Sequence, residues 1–409
     1  MLAINGGEKA VTKAFPVAKR YAGNELAYLK EALEQNTLFY AHGNFVKRFT
    51  GKFAEMLGVK HCVATSSCTA AIHTALAALG VGYGDEVIVP PITDMGGVIG
   101  VLAQNATPVF ADVDGETYNM TAASIEAVIT EKTRAVVVTH LAGNPCEMDD
   151  IMAVARKHGL FVVEDCAQAY RSYYKGRHVG AFGDIGCFST NEFKHISTGD
   201  GGVCATNDEG LAERMRLFTD KGYNRSAKSM EEMRAVREFC VNYRMTELQG
   251  AVGLAQLEKL NYICSSLTAL GDELTKQLRG IAGIVPPRIM DYSISAYWFY
   301  MFTIDLDLFT CGVKRFGEAL SAEGVNASGG YIGRCVYEWD LFRDKKYLPG
   351  NLAAKLPDSG REYKHGLCPT AEKVLKECVH IQLNYTYSME DIFAIAAAVR
   401  KVSDHRDEL

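Results

Sequence analysis

Short apolar, β-branched runs alternate with helical repeats between residues 58 and 220. The runs at 61–65, 86–89, 108–113, 134–141, 160–164, 185–189 and 202–206 read as strands. Stretches 68–79, 96–104, 122–129, 149–158 and 208–221 carry the spacing of amphipathic helices. Strands alternating with helices predict βαβ units and a largely parallel sheet covered on both faces. The last two runs have no full helix between them, so a hairpin is expected there and the sheet is expected to be mixed.

Past Met245 the pattern changes. Residues 247–260 form a long helical stretch with Leu248, Val252, Leu254, Leu257 and Leu260 on one stripe. The segment YWFYMFTID (297–305) reads as a strand, and 313–323 and 390–402 read as helices. The fold class is therefore α/β. A large domain is expected over 1–264, with a mixed, mostly parallel sheet flanked by helices, and a smaller α/β domain over 265–409.

Composition narrows the functions. With 48% hydrophobic and 22% charged residues the chain has the make-up of a globular protein with a sizeable core. A net charge of −6 offers no basic field for nucleic acid or an anionic membrane. Residues 1–10 lack a basic stretch followed by an apolar one, which argues against secretion. Cys62, Cys68, Cys166, Cys187 and Cys204 lie in or beside apolar runs and no C-x-x-C pair occurs, so neither disulfides nor zinc is expected. A cytoplasmic location is the simplest expectation.

Chemistry concentrates in three segments. In VATSSCTAAIHTALAALG (63–80) a strand meets hydroxyl residues and an Ala-rich helix. Unpaired N–H groups and the positive dipole end suit a phosphate there, with Ser66, Ser67 and Thr69 as further donors. A plain serine cap fits the same residues. In LFVVEDCAQA (160–169), Asp165 ends an apolar strand, where open α/β sheets place ligand contacts. It reads either as the partner of a protonated pyridine nitrogen or as a helix cap or solvated strand end. In GDIGCFSTNEFKHISTGDGGVCATN (183–207), Lys194 lies between a strand and a glycine-rich turn formed by Gly199, Gly201 and Gly202. A lysine at a buried strand end can have its pKa lowered and act as an amine nucleophile. Phosphate cradle, acidic ring partner and lysine, in that order, are what pyridoxal 5'-phosphate requires. A dinucleotide-binding dehydrogenase would need G-x-G-x-x-G after the first strand, and residues 65–70 read TSSCTA instead.

The chain resembles the DegT/DnrJ/StrS sugar aminotransferases from about residue 6 to about residue 402. The resemblance rests on GYGDEVIVPP (82–91), TPVFADVD (107–114), VVEDCAQA (162–169), YYKGRHVGAFGDIGCFST (173–190), KHISTGDGG (194–202) and NYRMTELQGAVGLAQL (242–257). It implies the pyridoxal-phosphate transferase fold of type I, with Lys194 as the Schiff-base lysine. By the same resemblance, Asp165 sits on the ring nitrogen and Gln168 beside the ring's 3-hydroxyl. Ser67, Cys68 (through its N–H) and Ser189 fall at the phosphate. Asn242 and Arg244 match residues that reach the phosphate of a neighbouring subunit, which implies a homodimer with shared active sites.

The implied reaction moves an amino group from glutamate or glutamine to a keto sugar or keto cyclitol in amino-sugar, aminocyclitol or antibiotic biosynthesis. The opening LAINGGEKAV (2–11) is similar to members acting on scyllo-inosose-type cyclitols and to aminohydroxybenzoate synthases. The loop SGGYIGRCVY (328–337) is a candidate acceptor-pocket lining, or else a surface connection. One departure stands out: Asp94 occupies the position where the family has an aromatic residue stacked on the cofactor, leaving Met95 or another side chain to cover the ring. The family's 3-dehydratases carry His in place of the lysine. Here that position is Lys194, followed by His195, and dehydratase or aromatising chemistry is the second reading.

Overall fold

The computed structural model describes residues 1–345 and 360–409. In chain order the first part supplies β1 (His61–Thr65), β2 (Glu86–Val89), β3 (Thr107–Phe110), β4 (Thr133–Thr139) and β5 (Phe161–Asp165). A short hairpin follows, β6 (Tyr173–Tyr174) and β7 (Arg177–His178), and then β8 (Ile185–Ser189) and β9 (Gly202–Thr206). Seven of these strands form one sheet in the order β1-β9-β8-β5-β4-β2-β3. From β8 through β5, β4 and β2 to β3 all pairs are parallel, and β9 runs antiparallel to both β8 and β1. The expected mixed sheet and its hairpin are both present.

Helices such as Cys68–Ala78, Gly96–Ala103 and Met148–His158 connect the parallel strands. All residues of β2, β3, β8 and β9 are buried, which is why these runs read as continuously apolar rather than alternating. The strand expected at 134–141 stops at Thr139. There the chain turns through Leu141–Gly143, with Ala142 at φ +56°.

The second part forms β10 (Ile284–Val285), β11 (Ser293–Ile294), β12 (Tyr300–Ile304), β13 (Ala327–Gly329) and β14 (Cys378–Ile381). Four of these make an antiparallel sheet ordered β10-β12-β14-β13, and β11 pairs with β6 of the first part. The strand expected at 297–305 starts at Tyr300. Tyr297 has φ +41°, and the Trp298 N–H leaves the ladder to donate to Ala142 O at 3.0 Å.

The helix expected at 247–260 continues as Glu247–Leu278, passing through residues 264 and 265 without a break. A Thr246/Gln249 capping box starts it. It packs on two N-terminal helices, Glu25–Glu34 and Phe45–Leu57, and on Met389–Asp404. Gly250 permits the crossing: a Cβ there would lie 2.7 Å from Val46 N. The chain after β13 folds back over the first sheet. Val336 N–H donates to Pro91 O at 2.9 Å, the Tyr363 hydroxyl to Pro108 O at 2.8 Å, and Arg361 forks onto Glu86 at 2.9 and 3.0 Å.

Candidate active site

The turns that follow β1, β2, β5 and β8 at their C-terminal ends converge on a cavity of about 220 Å³. This is the edge at which an open α/β sheet gathers its ligand-contacting residues. After β1 come Ser67, Cys68 and Thr69; after β2, Thr93, Asp94, Gly96 and Gly97. Asp165 and Gln168 enter from the end of β5, and Ser189 and Lys194 from β8 and its loop.

The phosphate-type corner is the N-terminus of the Cys68–Ala78 helix. Ser67 is its cap, its hydroxyl accepting from Ala70 N at 3.0 Å, so the plain capping reading of this serine holds in the structure. Cys68 and Thr69 keep N–H groups with no hydrogen bond among the described residues. Gly202 brings the corner together, because a Cβ there would collide with the Ser67 carbonyl. Ser189 is buried beside it, accepting weakly from Asn191 N at 3.3 Å.

Asp165 is 5% exposed. One oxygen accepts from Ala167 N at 3.0 Å, the other from the Thr139 hydroxyl at 3.4 Å, and the Cys68 thiol lies 4.0 Å away. Burial pushes its carboxyl above the ordinary value, opposed by the Ala167 N–H and the Lys194 charge, while Asp94 adds to the rise. A buried carboxylate with spare acceptor capacity beside a lysine is suited to a cationic N–H. Gly97 leaves room in front of it, since a Cβ would stand 3.3 Å from its outer oxygen.

Lys194 is half-buried in the loop joining β8 to β9. Burial lowers its amine below the ordinary lysine value, and Asp165, Cys68 and Asp94 oppose that shift. The loop is tied at its neck by Thr190 N to Gly201 O at 2.9 Å and Thr198 N to Thr190 O at 2.8 Å. Arg20, from the N-terminal segment, donates to Lys194 O at 2.7 Å. His195 turns away, its Nε2 3.2 Å from Ala296 O and its ring pushed down to about 4 by burial. The register that puts the lysine, not the histidine, at the cavity is the one observed.

Gln168 is held at both ends, accepting from Ala142 N at 2.7 Å and donating to the Tyr331 hydroxyl at 3.2 Å. Tyr331 belongs to the 328–337 loop, which therefore docks onto the site rather than lying free on the surface. Asp94 accepts from Gly96 N at 2.8 Å. Asn242 and Arg244 lie apart from this cavity. Asn242 is exposed and bridges Asp220 through the backbone, and Arg244 donates to Asp220 at 2.6 Å, where Arg225 and Tyr40 also bind. Sequence reasoning missed Thr139, Arg20 and Trp298. The first two stood in segments with no motif, and Trp298 was hidden in an apolar run that reads as core.

A model of the DegT/DnrJ/EryC1/StrS aminotransferase family matches residues 20–400. The chain is 40% identical over 262 residues to a GDP-perosamine synthase of Escherichia coli O157:H7, covering 64% of this chain and 70% of that one. It is 34% identical over 338 residues to a Streptoalloteichus tenebrarius protein provisionally named L-glutamine:3-amino-2,3-dideoxy-scyllo-inosose aminotransferase, covering 80% and 79%. Among solved structures, an aminotransferase from Psychrobacter cryohalolentis superposes with a TM-score of 0.84 at 30% identity, covering 97% of this chain and 99% of that one.

Proposed function

The chain belongs to the DegT/DnrJ/EryC1/StrS aminotransferase family and is a pyridoxal-phosphate-dependent aminotransferase, and from that premise we propose that it carries an amino group from glutamate or glutamine to a keto sugar or keto cyclitol. The observation that carries this reading is the meeting of Lys194, Asp165 and the free helix N–H groups in one cavity. The relatives' names, a perosamine synthase and an inosose aminotransferase, support a carbohydrate-like acceptor.

The residues present fit the cofactor. Its phosphate would take the N–H groups of Cys68 and Thr69 with Ser67 and Ser189 beside them, its ring nitrogen Asp165, its 3-hydroxyl side Gln168, and its aldehyde Lys194. When bound, it supplies an electron sink and a carbon that exchanges amines.

The protein's own groups do the rest. Lys194 Nζ, whose pKa burial lowers, removes the donor's α-proton and returns a proton to the acceptor carbon. Asp165 keeps the ring nitrogen protonated by presenting its carboxylate in a site that water does not level. Asn242 and Arg244, remote from this cavity, serve the site of a second copy in a homodimer. The division into a cofactor-binding part, 1–264, and a smaller part, 265–409, belongs to the same reading. So does a reducing cytoplasm, in which the free thiols of all twelve cysteines persist. No helix among the described residues is long and apolar enough to cross a membrane. The 3-dehydratase reading is disfavoured by a lysine at the cavity with His195 turned to Ala296.

The test is the absorbance spectrum of the purified protein with pyridoxal phosphate, before and after glutamate or glutamine. The expected result is a visible band that bleaches with donor and returns with a keto sugar or keto cyclitol. Lys194→Ala should keep part of the cofactor affinity and lose turnover by about 10⁴-fold, the upper end of what proton transfer contributes. Turnover retained in that variant would overturn the mechanism.

A further inference from the structure

Trp298 has no role in the account so far, yet it touches the reactive lysine and the residue just before it. Its indole Nε1–H donates to Phe193 O at 2.7 Å, the carbonyl immediately before Lys194. Its ring lies beneath the amine, with Lys194 Nζ 3.7 Å from the ring centroid. The indole is itself fixed from behind: Trp298 N–H donates to Ala142 O at 3.0 Å, and Gln382 Nε2 donates to the Trp298 carbonyl at 3.3 Å. The ring edges a second cavity of about 340 Å³, shared with Lys194 and lined also by Arg20, Gln382 and Asn384. Lys194 thus borders two chambers, one with Asp165 and the helix N-terminus, the other floored by the indole.

We propose that Trp298 is a positioning residue for Lys194, fixing the lysine loop through Phe193 and holding the amine in its protonated form against the indole face until it reacts. This rests on the reading of Lys194 as the cofactor lysine. The physical ground is that a ring quadrupole attracts an ammonium and not a neutral amine, most strongly for Trp and most of all where water is excluded. Ala142 links the two chambers, since its N–H donates to Gln168 and its carbonyl accepts from Trp298. The lysine's seat and the Gln168 position therefore meet at one residue, through its two flanking peptide groups.

The charged and titratable groups facing the amine are Asp165 from β5, Cys68 from the helix N-terminus and Asp94 from the turn after β2. Arg20 meets the Lys194 carbonyl, and the His195 ring, turned to Ala296 O, lies within electrostatic reach of the lysine. Carboxylates favour the ammonium and burial disfavours it, and the indole adds to the first group. Taking the ring away removes a preference for the charged form. The amine then loses its proton at lower pH.

The test uses the full chain freed of cofactor. The rate at which it captures added pyridoxal phosphate is followed against pH, with borohydride trapping and peptide mass to locate the label. For Trp298→Leu the midpoint of the pH profile is expected to fall by about 0.5 to 1.5 units. Trp298→Phe keeps a weaker face and should fall less, in the same direction; it decides the matter if the leucine variant does not fold. Midpoints that coincide with the wild-type value within about 0.2 units, or that rise, would falsify the proposal. A label found elsewhere than on Lys194, or equal capture by Lys194→Ala, would instead remove the reading of Lys194 beneath it.

Discussion

Glu164 and Asp165 are adjacent on β5, both carboxylates and both buried, and they face opposite sides of the sheet as strand alternation requires. Glu164 is saturated. It accepts from His140 Nε2 at 3.1 Å and from the N–H groups of Gly180, Phe182 and Gly183, each at 2.7 Å. His140 donates from Nε2 because its Nδ1 already accepts the Cys146 N–H at 3.0 Å. Burial works to raise the Glu164 carboxyl, and these donors outweigh it, holding it below the ordinary range. Asp165 has the same burial with one firm donor and a long one, and its carboxyl moves up instead. Burial alone does not mark a functional carboxylate; the mark is acceptor capacity left over after the fold has been satisfied.

The contrast assigns chemistry to one face and stability to the other, and it can be broken from either side. Asp165→Asn should keep the fold and lower the rate of the donor half-reaction by about 10²- to 10³-fold, the scale of one preorganised electrostatic group. Stopped-flow bleaching of the cofactor band with glutamate measures it, and a wild-type rate would end the contrast. Glu164→Gln places an amide NH₂ among N–H donors. It should lower unfolding free energy by about 3 kcal/mol, from buried groups left unpaired. Urea denaturation checks this, and a change below about 1 kcal/mol would mean that the rear face is not structural.

The smallest effect is the most discriminating, because the two residues should respond to pH with opposite signs. For Asp165, whose folded pKa is raised above 3.8, the contribution to stability is fully present below that value and is lost as pH rises through the folded pKa. For Glu164, whose folded pKa lies below 4.5, the contribution is present above that value and is lost as pH falls through the folded pKa. As pH rises above 3.8 the stability of the cofactor-free wild type relative to Asp165→Asn should fall, while as pH rises toward 4.5 that relative to Glu164→Gln should rise. Parallel slopes would show that both carboxylates sit in equivalent surroundings.

Much of this was legible in the chain. The seven-stranded sheet could be read because buried parallel strands leave apolar runs bounded by turn residues, and the hairpin because no helix fits between 189 and 202. The cavity could be read because the C-terminal ends of four of those strands, or the turns just after them, carry Ser67, Asp94, Asp165 and Ser189. Other parts depend on contacts distant in sequence. The helix Phe45–Leu57 buries Phe45, Phe49, Phe53 and Leu57 at four-residue spacing, a signal that was present and went unread. Glu247–Leu278 outran its expected end because its stripe changes partners, from the N-terminal helices to Met389–Asp404. Trp298 and Arg20 meet Lys194 only through tertiary folding, and no local pattern announces that.

The loop that carries Lys194 has its two ends fastened to each other, by Thr190 to Gly201 and Thr198 to Thr190, before the β8–β9 ladder begins. Its contour is therefore a ruler independent of the sheet. One residue inserted between Thr190 and Lys194 would lengthen the amine's tether by up to about 3.4 Å while the ladder kept its register. One deleted would shorten it by the same step. Reach toward a bulkier or smaller ligand is thus adjustable by counting residues in a single closed bight, a quantised handle for redesign that leaves the core untouched.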